Sequence, residues 1–296
     1  MAVQILLINL ERDNCRLAHM RGQCARLGLT FERFAAVRGA DLPDNLKPYF
    51  DGADTLSPGE IGCYASHLAA FEHAAAHDGP TLVLEDDVDL PDDFRALLDE
   101  IMHAAPAGWD MVRLTSTPKR AFMDVAALAG GRRLVRNSNV PGATGAYLVS
   151  PAGARKFLRA APRFLPVDQD LKPVWAWGLN IFGVAPTPVR ADIFEDSSID
   201  AMAPAQGARK NEARLTRLRL GRLAEAGARH AHVLHQFGFA RWLWAEAVNL
   251  ALTLTPRGQR PALLMRAAHQ LGEAAGKQKR PGRSRGVPGS AQTVET

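Results

Sequence analysis

Short apolar runs alternate with helix-patterned stretches through the first two hundred residues, and that alternation restricts the chain to a layered α/β architecture. Val3–Ile8, Phe31–Val37, Thr81–Leu84, Met111–Leu114, Arg133–Arg136, Gly145–Val149 and Asn180–Val184 read as strands. Between the first two, Leu17, Met20, Cys24 and Leu27 recur at spacings of three and four, and Gly28 closes that helix. Ser57-Pro58-Gly59-Glu60 is a helix start: Ser57 caps, Pro58 suits the first helical position and Glu60 completes a capping box. Ile61, Tyr64, Leu68, Phe71 and Ala75 then mark one apolar face. Further helices are expected over Asp92–His103, from Ser150-Pro151 through Leu158, and over part of Val167–Trp177. Asp41–Thr55 and Thr117–Gly130 read as loops. The expected fold is an open, mostly parallel sheet with helices on both faces.

Charge divides the chain. The net charge of +5 is the sum of a basic stretch over 201–296, with 16 Lys and Arg against 5 Asp and Glu, and an acidic stretch over 1–200. Residues 1–200 are read as the catalytic domain, 201–275 as a helical basic appendage and 276–296 as a disordered tail. Leu215, Leu218 and Leu223 begin the appendage, and His230–Leu254 reads as a further helix. Three cysteines without a CxxC pair argue against a disulfide framework and a cysteine zinc site. Val3–Ile8 is too short for a signal peptide and ends in Asn9, Glu11 and Arg12. No run of transmembrane length occurs, so the expected location is cytoplasmic.

The sharpest local feature is Leu82-Val83-Leu84-Glu85-Asp86-Asp87, three carboxylates directly after a buried strand. In open α/β sheets, ligands bind outside the carboxyl ends of the strands. Adjacent carboxylates repel one another, and a hard cation such as Mg²⁺ or Mn²⁺ compensates them while keeping positions for phosphate oxygens. Side chains alternate on extended backbone, so Glu85 and Asp87 can face one way. Asp87 is the expected metal ligand, with Glu85 or Asp86 reaching the metal, its waters or a ribose. A turn of solvated acids at a strand end is the plainer reading. Asp168 and Asp170 are candidate bases, or helix-capping residues. Glu60 and His67 lie two turns apart on one helix face, and Arg12 and Arg16 one turn apart near the end of the first strand, placed for phosphate or base.

INLERDNCR (8–16), FERFAAVRG (31–39), LSPGEIGCYASHLAAFE (56–72), LVLEDDV (82–88), WDMVRL (109–114), TGAYLVS (144–150) and PVDQD (166–170), in that order, resemble glycosyltransferase family 25. That family includes bacterial lipooligosaccharide glycosyltransferases and is related to collagen galactosyltransferases. The resemblance covers about the first 200 residues. It implies a GT-A-like fold, a UDP-sugar donor, a divalent metal (Mn²⁺ or Mg²⁺) and inversion at the anomeric carbon. It places the acidic motif on Glu85, Asp86 and Asp87, the first-strand motif on Asn9, Leu10, Arg12 and Arg16, and the helix motif on Gly59, Glu60, Gly62, Ser66 and His67. Asp168 falls where the family has a downstream acid. The expected activity is transfer of a hexose, galactose foremost, to a lipopolysaccharide, lipooligosaccharide or related surface glycan.

Two other classes compete. A non-catalytic nucleotide-sugar-binding protein would keep the same fold. A haloacid-dehalogenase-type phosphohydrolase would use Asp87-Val88-Asp89, but Glu85-Asp86 intervene after the strand and Pro91 stands where that motif has Thr or Val. Arg214, Arg217, Arg219 and Arg222, followed by Trp242 and Trp244, suit peripheral contact with an anionic membrane, or a helical appendage with solvated arginines. No nucleic-acid recognition motif is present, so no nucleic-acid partner is expected.

Overall fold

The computed structural model describes residues 3–53, 55–191, 193–194 and 225–278. Within them β1 (Gln4–Asn9), α1 (Asn14–Arg26), β2 (Glu32–Ala35), α2 (Pro58–Ala76), β3 (Thr81–Glu85) and α3 (Phe94–Ala104) form the first half. β4 (Met111–Arg113), β5 (Phe122–Ala127), β6 (Arg133–Asn137), β7 (Ala146–Val149), α4 (Pro151–Phe157), α5 (Val167–Asp170), α6 (Val174–Trp177) and β8 (Ile181–Ala185) follow. Helices α7 (Ala226–Phe237), α8 (Phe239–Leu254) and α9 (Arg260–Gln278) end the described chain.

One eight-stranded sheet runs in the order β2-β1-β3-β7-β4-β8-β6-β5. The α/β class and the two-sided helical cover match the sequence reading. The strand directions do not follow the expected mostly parallel pattern. Three pairings are parallel (β1 with β2, β1 with β3, β4 with β8) and four antiparallel, so the sheet is mixed. The reason is local: β7 enters antiparallel between β3 and β4, and β5 with β6 forms a hairpin. Strand β5 lies inside Thr117–Gly130, which reads as a loop in the sequence. A register shift between Asp124 and Ala126 breaks its alternation, and period two is the signal by which such a strand is read.

Strand alternation feeds two cores. Leu6, Ile8, Val83, Met111, Tyr147 and Ile181 pack against α2 with Tyr64, Leu68 and Phe71. Ile5, Leu7, Leu82, Leu84, Val112, Leu148 and Phe182 pack on the other side with Leu17 and Met20 of α1 and Phe94, Leu97 and Ile101 of α3. A third cluster joins Phe122, Val135 and Ala185 to Val233, Phe237, Val248, Leu252 and Leu264 of the last three helices. The single helix expected over His230–Leu254 is two, because Gly238 sits at φ 77 between α7 and α8. The expected helix at Leu215, Leu218 and Leu223, and 279–296 of the expected tail, lie outside the described residues. Among the described residues, no helix is long and apolar enough to cross a membrane.

The capping box forms as read. Ser57 Oγ accepts from the Glu60 N–H at 3.2 Å, and Glu60 Oε2 accepts from the Ser57 N–H at 2.9 Å. Two glycines then let the chain after β2 lie directly on α2. A Cβ on Gly39 would meet the Pro58 carbonyl oxygen at 2.0 Å, and one on Gly62 would meet Gly39 N and Val37 O at 2.8 Å. Ser66 Oγ completes the joint, accepting from the Val37 N–H at 2.8 Å and donating to the Gly62 carbonyl at 2.7 Å.

Candidate active site

β1, β3 and β4 run the same way, so Asn9, Glu85 and Arg113 end at one edge of the sheet. β7 runs oppositely and enters at that edge through Thr144 and Gly145. The strand direction changes between β3 and β7, the kind of place where open α/β sheets bind ligands.

The three acids of β3's end take three different positions. Glu85 turns toward α2: its Oε1 accepts from Thr144 Oγ1 at 2.8 Å and pairs with His67 Nε2 at 3.1 Å. His67 is 1% exposed, and its Nδ1 meets the Tyr147 hydroxyl at 2.9 Å. A carboxylate only accepts, so in the neutral ring Nε2 carries the hydrogen and Nδ1 accepts from Tyr147. Burial works to raise the Glu85 carboxyl, but the bonds from His67 and Thr144 and the charge of Arg16 outweigh it and hold it below its usual value.

Asp86 turns toward α1. Its Oδ2 accepts from Asn9 Nδ2 at 2.6 Å and its Oδ1 from Arg16 Nη1 at 3.2 Å, while Arg33 Nε donates to Asn9 Oδ1 at 2.9 Å. Burial raises the Asp86 carboxyl against these bonds. Asp87 keeps its side chain 19% accessible, with Oδ2 3.8 Å from Arg16 Nη1. Arg16 thus bridges the two aspartates, and its guanidinium lies 5.2 Å from the Phe194 ring. Leu10 accepts from the Asp13 N–H in the turn before α1. Arg12 is exposed and pairs with its neighbour Asp13; it precedes α1, so the expected one-turn spacing to Arg16 on a shared helix does not form.

Asp168 and Asp170, two residues apart on α5, separate completely. Asp170 accepts from the Tyr64 hydroxyl at 2.6 Å and from Arg163 Nη1 at 3.3 Å. Arg163 is fully buried, its guanidinium 4.1 Å from the Trp177 ring and 4.7 Å from that of Phe157. Asp170 is therefore tied to a buried arginine and a tyrosine hydroxyl and does not cap α5, a place Pro166 takes. Asp168 faces the sheet edge. A Cβ on Gly142 would lie 2.7 Å from its Oδ2 and 3.2 Å from Lys172 Cε. The bare glycine makes room for both side chains.

Cys63 reports how these groups converge. It sits between Glu60 and His67 on one face of α2. Its thiol is pushed well above the usual range by burial first, then by the negative charges of Glu85, Asp168, Asp87 and Glu60. Sequence reasoning took Arg113 and Tyr147 as strand residues and met Thr144 only in the TGAYLVS stretch, without a role. Arg113 is buried and donates through Nη1 to the carbonyls of Pro141 and Ala143 at 2.7 and 3.0 Å, fixing the loop that carries Gly142 and Thr144. Burial pulls its guanidinium down to about 10, so it stays a cation at neutral pH. No spacing rule marks a strand arginine for such a role.

Among the described residues, no group of three or more His, Cys, Asp or Glu side chains is arranged so that it could hold a metal ion. The edge suits an ion that takes one or two carboxylates and fills its other positions with water and phosphate, as Mg²⁺ does. Asp86 has both oxygens engaged, whereas Asp87 reaches the accessible side of the edge.

Residues 2–171 match the profile of glycosyltransferase family 25 (LPS biosynthesis protein), and the chain belongs to that family. A Mus musculus protein named inactive glycosyltransferase 25 family member 3 is 31% identical over 185 residues, 57% of this chain and 31% of that protein. An Aedes aegypti glycosyltransferase 25 family member is 31% identical, covering 56% of this chain and 30% of its own length. Procollagen galactosyltransferase 1-B of Xenopus laevis is 29% identical over 57% of this chain and 30% of its own. The chain spans about a third of the length of the curated relatives it matches. A crystal structure of a Drosophila β-1,4-galactosyltransferase 7 mutant with manganese, UDP-Gal and xylobiose aligns over 70% of this chain and 76% of that one, at 11% identity and a TM-score of 0.35. A likeness that loose carries no weight for the site.

Proposed function

We propose that the chain transfers a hexosyl group, galactose foremost, from a UDP-sugar to a surface glycan of the lipopolysaccharide or lipooligosaccharide type, with inversion. The observation that carries this reading is that β1, β3 and β4 end at one edge of the sheet, where Glu85, Asp86 and Asp87 follow β3 and Asp168 lies against Gly142 in the loop that leads into β7. Family membership and a relative named as a procollagen galactosyltransferase support it.

In a single displacement the acceptor hydroxyl attacks the anomeric carbon. The new C–O bond forms as the bond to the diphosphate breaks, and the diphosphate leaves with the bonding electrons. Asp168 receives the hydroxyl proton. Asp87, on the accessible side of the edge, would hold a divalent cation, whose chemistry when bound is to stabilise charge on the departing diphosphate. His67 and Thr144 orient Glu85, and His67 has both ring nitrogens engaged, which makes it a positioning residue. Arg16, anchored by Asp86 (itself held by Asn9), faces the same edge and suits the nucleotide's phosphates or base.

The test is a UDP-sugar donor screen with a glycan acceptor, run with Mn²⁺ and with chelator, on wild-type, Asp87→Ala and Asp168→Asn. Metal-dependent product from wild-type and its loss in both folded variants support the assignment. Undiminished turnover by Asp87→Ala removes the acidic edge from the mechanism. The name "inactive" carried by the Mus musculus relative favours one second reading, a nucleotide-sugar binder without turnover. Saturable UDP binding with no product from any donor would establish that reading instead.

A further inference from the structure

Among the described residues, Ala143 alone carries a side chain at positive φ, at 98°. That conformation crowds Cβ against the backbone, and a residue stays in it only where its surroundings fix it there. Ala143 lies in the turn before β7, between Gly142 and Thr144. Closing the sheet does not demand that turn. β3 and β7 pair as far as Leu84 with Ala146, and the Glu85 N–H reaches the Gly145 carbonyl at 2.8 Å, so main-chain pairing with β3 stops at Gly145.

Side chains hold the turn instead. Arg113 Nη1 donates to the Pro141 and Ala143 carbonyls at 2.7 and 3.0 Å. Ser116 Oγ donates to the Gly142 carbonyl at 2.8 Å, with the Ala143 carbonyl 3.3 Å away. Two side chains from the end of β4, 2 and 4% exposed, thus take three successive carbonyls. Arg113 is a costly anchor. Its Nε and Nη2 are buried with no hydrogen-bond partner among the described residues, and apolar packing in place of a buried ionic group is often neutral or stabilising. Strain at Ala143 and unpaired donors on Arg113 fall at one spot, and such departures from good packing concentrate where a fold serves a function.

The turn touches both sides of the proposed site. A Cβ on Gly142 would lie 2.7 Å from Asp168 Oδ2, which also accepts from Gln169 Nε2 at 2.5 Å. Thr144, two residues on, donates to Glu85 Oε1 at 2.8 Å. We propose that residues 141–144 set Asp168 against the acidic edge, and that Arg113 and Ser116 are positioning residues holding this turn in its strained form. The inference rests on the transfer reaction proposed above and assigns it two further residues.

The experiment is a mutant cycle of wild-type, Ser116→Ala, Asp168→Asn and the double variant, each checked for folding by circular dichroism. The first readout, alkylation of Cys63 by iodoacetamide, needs no turnover. The charge of Asp168 helps to hold the Cys63 thiol up, so Ser116→Ala should speed labelling in the wild-type background and add nothing once residue 168 is Asn. The second readout is turnover of a UDP-sugar. Ser116→Ala should lower kcat by at least about tenfold and leave the donor KM within about twofold, and Ser116→Thr, which keeps the hydroxyl, should recover most of the loss. Ala143→Gly, which frees the backbone without removing a contact, repeats the cycle should Ser116→Ala fail to fold. Equal effects of Ser116→Ala on labelling in both backgrounds, or wild-type kcat in the folded variant, overturn the positioning role. A wild-type chain that turns over no donor defeats the transfer reading instead, and the labelling cycle still decides whether the turn places Asp168.

Discussion

His67 and Glu85 meet at 3.1 Å between α2 and the end of β3, and each is held on its far side by a hydroxyl from β7 or its lead-in. Tyr147 bonds His67 at 2.9 Å and Thr144 bonds Glu85 at 2.8 Å, so the four form one hydrogen-bonded chain. Removing the imidazole leaves the buried Tyr147 hydroxyl and the Glu85 carboxylate short of a partner. His67→Ala is expected to cost about 1–3 kcal/mol of stability and to lower kcat more than it alters donor affinity. His67→Gln, which restores a donor toward Glu85, should recover part of both. Urea denaturation and steady-state kinetics measure the two effects.

The same pair sets a pH dependence. The folded state holds the Glu85 carboxyl below its free value of 4.5, so this contribution to stability is complete above 4.5. It is lost as pH falls through the lower folded value. In His67→Ala the folded value moves up toward 4.5, and this contribution shrinks. The gap between wild-type and variant denaturation midpoints should narrow as pH falls through the acid range, leaving the part due to Tyr147. A constant gap at every pH would deny the coupling.

Asp168 and Asp170 should answer substitution in opposite ways. Asp170→Ala leaves Arg163 fully buried without its carboxylate, a loss on the order of 3–5 kcal/mol. Asp168→Asn keeps the side chain's size and removes only a more distant charge from the buried Arg113, so it should cost less stability than Asp170→Ala, while turnover falls by at least about a hundredfold, as expected for loss of a base. Thermal melts beside turnover separate the two.

Much of this was legible in the sequence. Glu85, Asp86 and Asp87 announced themselves by following an apolar strand, and Ser57 and Glu60 by the spacing of a capping box. The partition among the three acids was not legible, because it depends on Asn9 and Arg16 approaching from β1 and α1 and on His67 approaching from α2. Alternation puts Glu85 and Asp87 on one side of an ideal strand, but the ladder from β1 ends at Glu85, and backbone beyond it need not keep that alternation. Asp170 read as a possible base because nothing local ties it to Arg163, seven residues upstream. β5 was hidden by the break in its own register.

The cysteines offer a chemical readout of the site. Burial lifts Cys24 from 9.0 to about 11, which lowers its thiolate fraction at neutral pH by about a hundredfold. Cys15 is exposed. Iodoacetamide at mildly alkaline pH should therefore label Cys15 first, with Cys24 and Cys63 slow until the chain unfolds. Because Asp168 contributes to the elevated Cys63 thiol, Asp168→Asn should speed labelling of Cys63 and leave Cys24 unchanged. Peptide mass spectrometry resolves the three sites.

Gly62 and Gly142 make the same point about missing side chains, with different consequences. A Cβ at Gly62 meets backbone on both contacts, Gly39 N and Val37 O at 2.8 Å, and neither can move without shifting the chain after β2. Gly62→Ala should cost about 1–3 kcal/mol, as overpacking does, and lower the melting temperature. A Cβ at Gly142 meets only side chains, Asp168 Oδ2 at 2.7 Å and the end of Lys172. Those can rotate away, so Gly142→Ala should fold with little loss of stability. It displaces the proposed base, however, and a misplacement of about 1 Å can cost on the order of a hundredfold in rate. Melting curves and kcat measured on the two variants should therefore part, stability falling in one and turnover in the other. A Gly142→Ala enzyme with full kcat would mean that Asp168 does not act from the position the glycine leaves open.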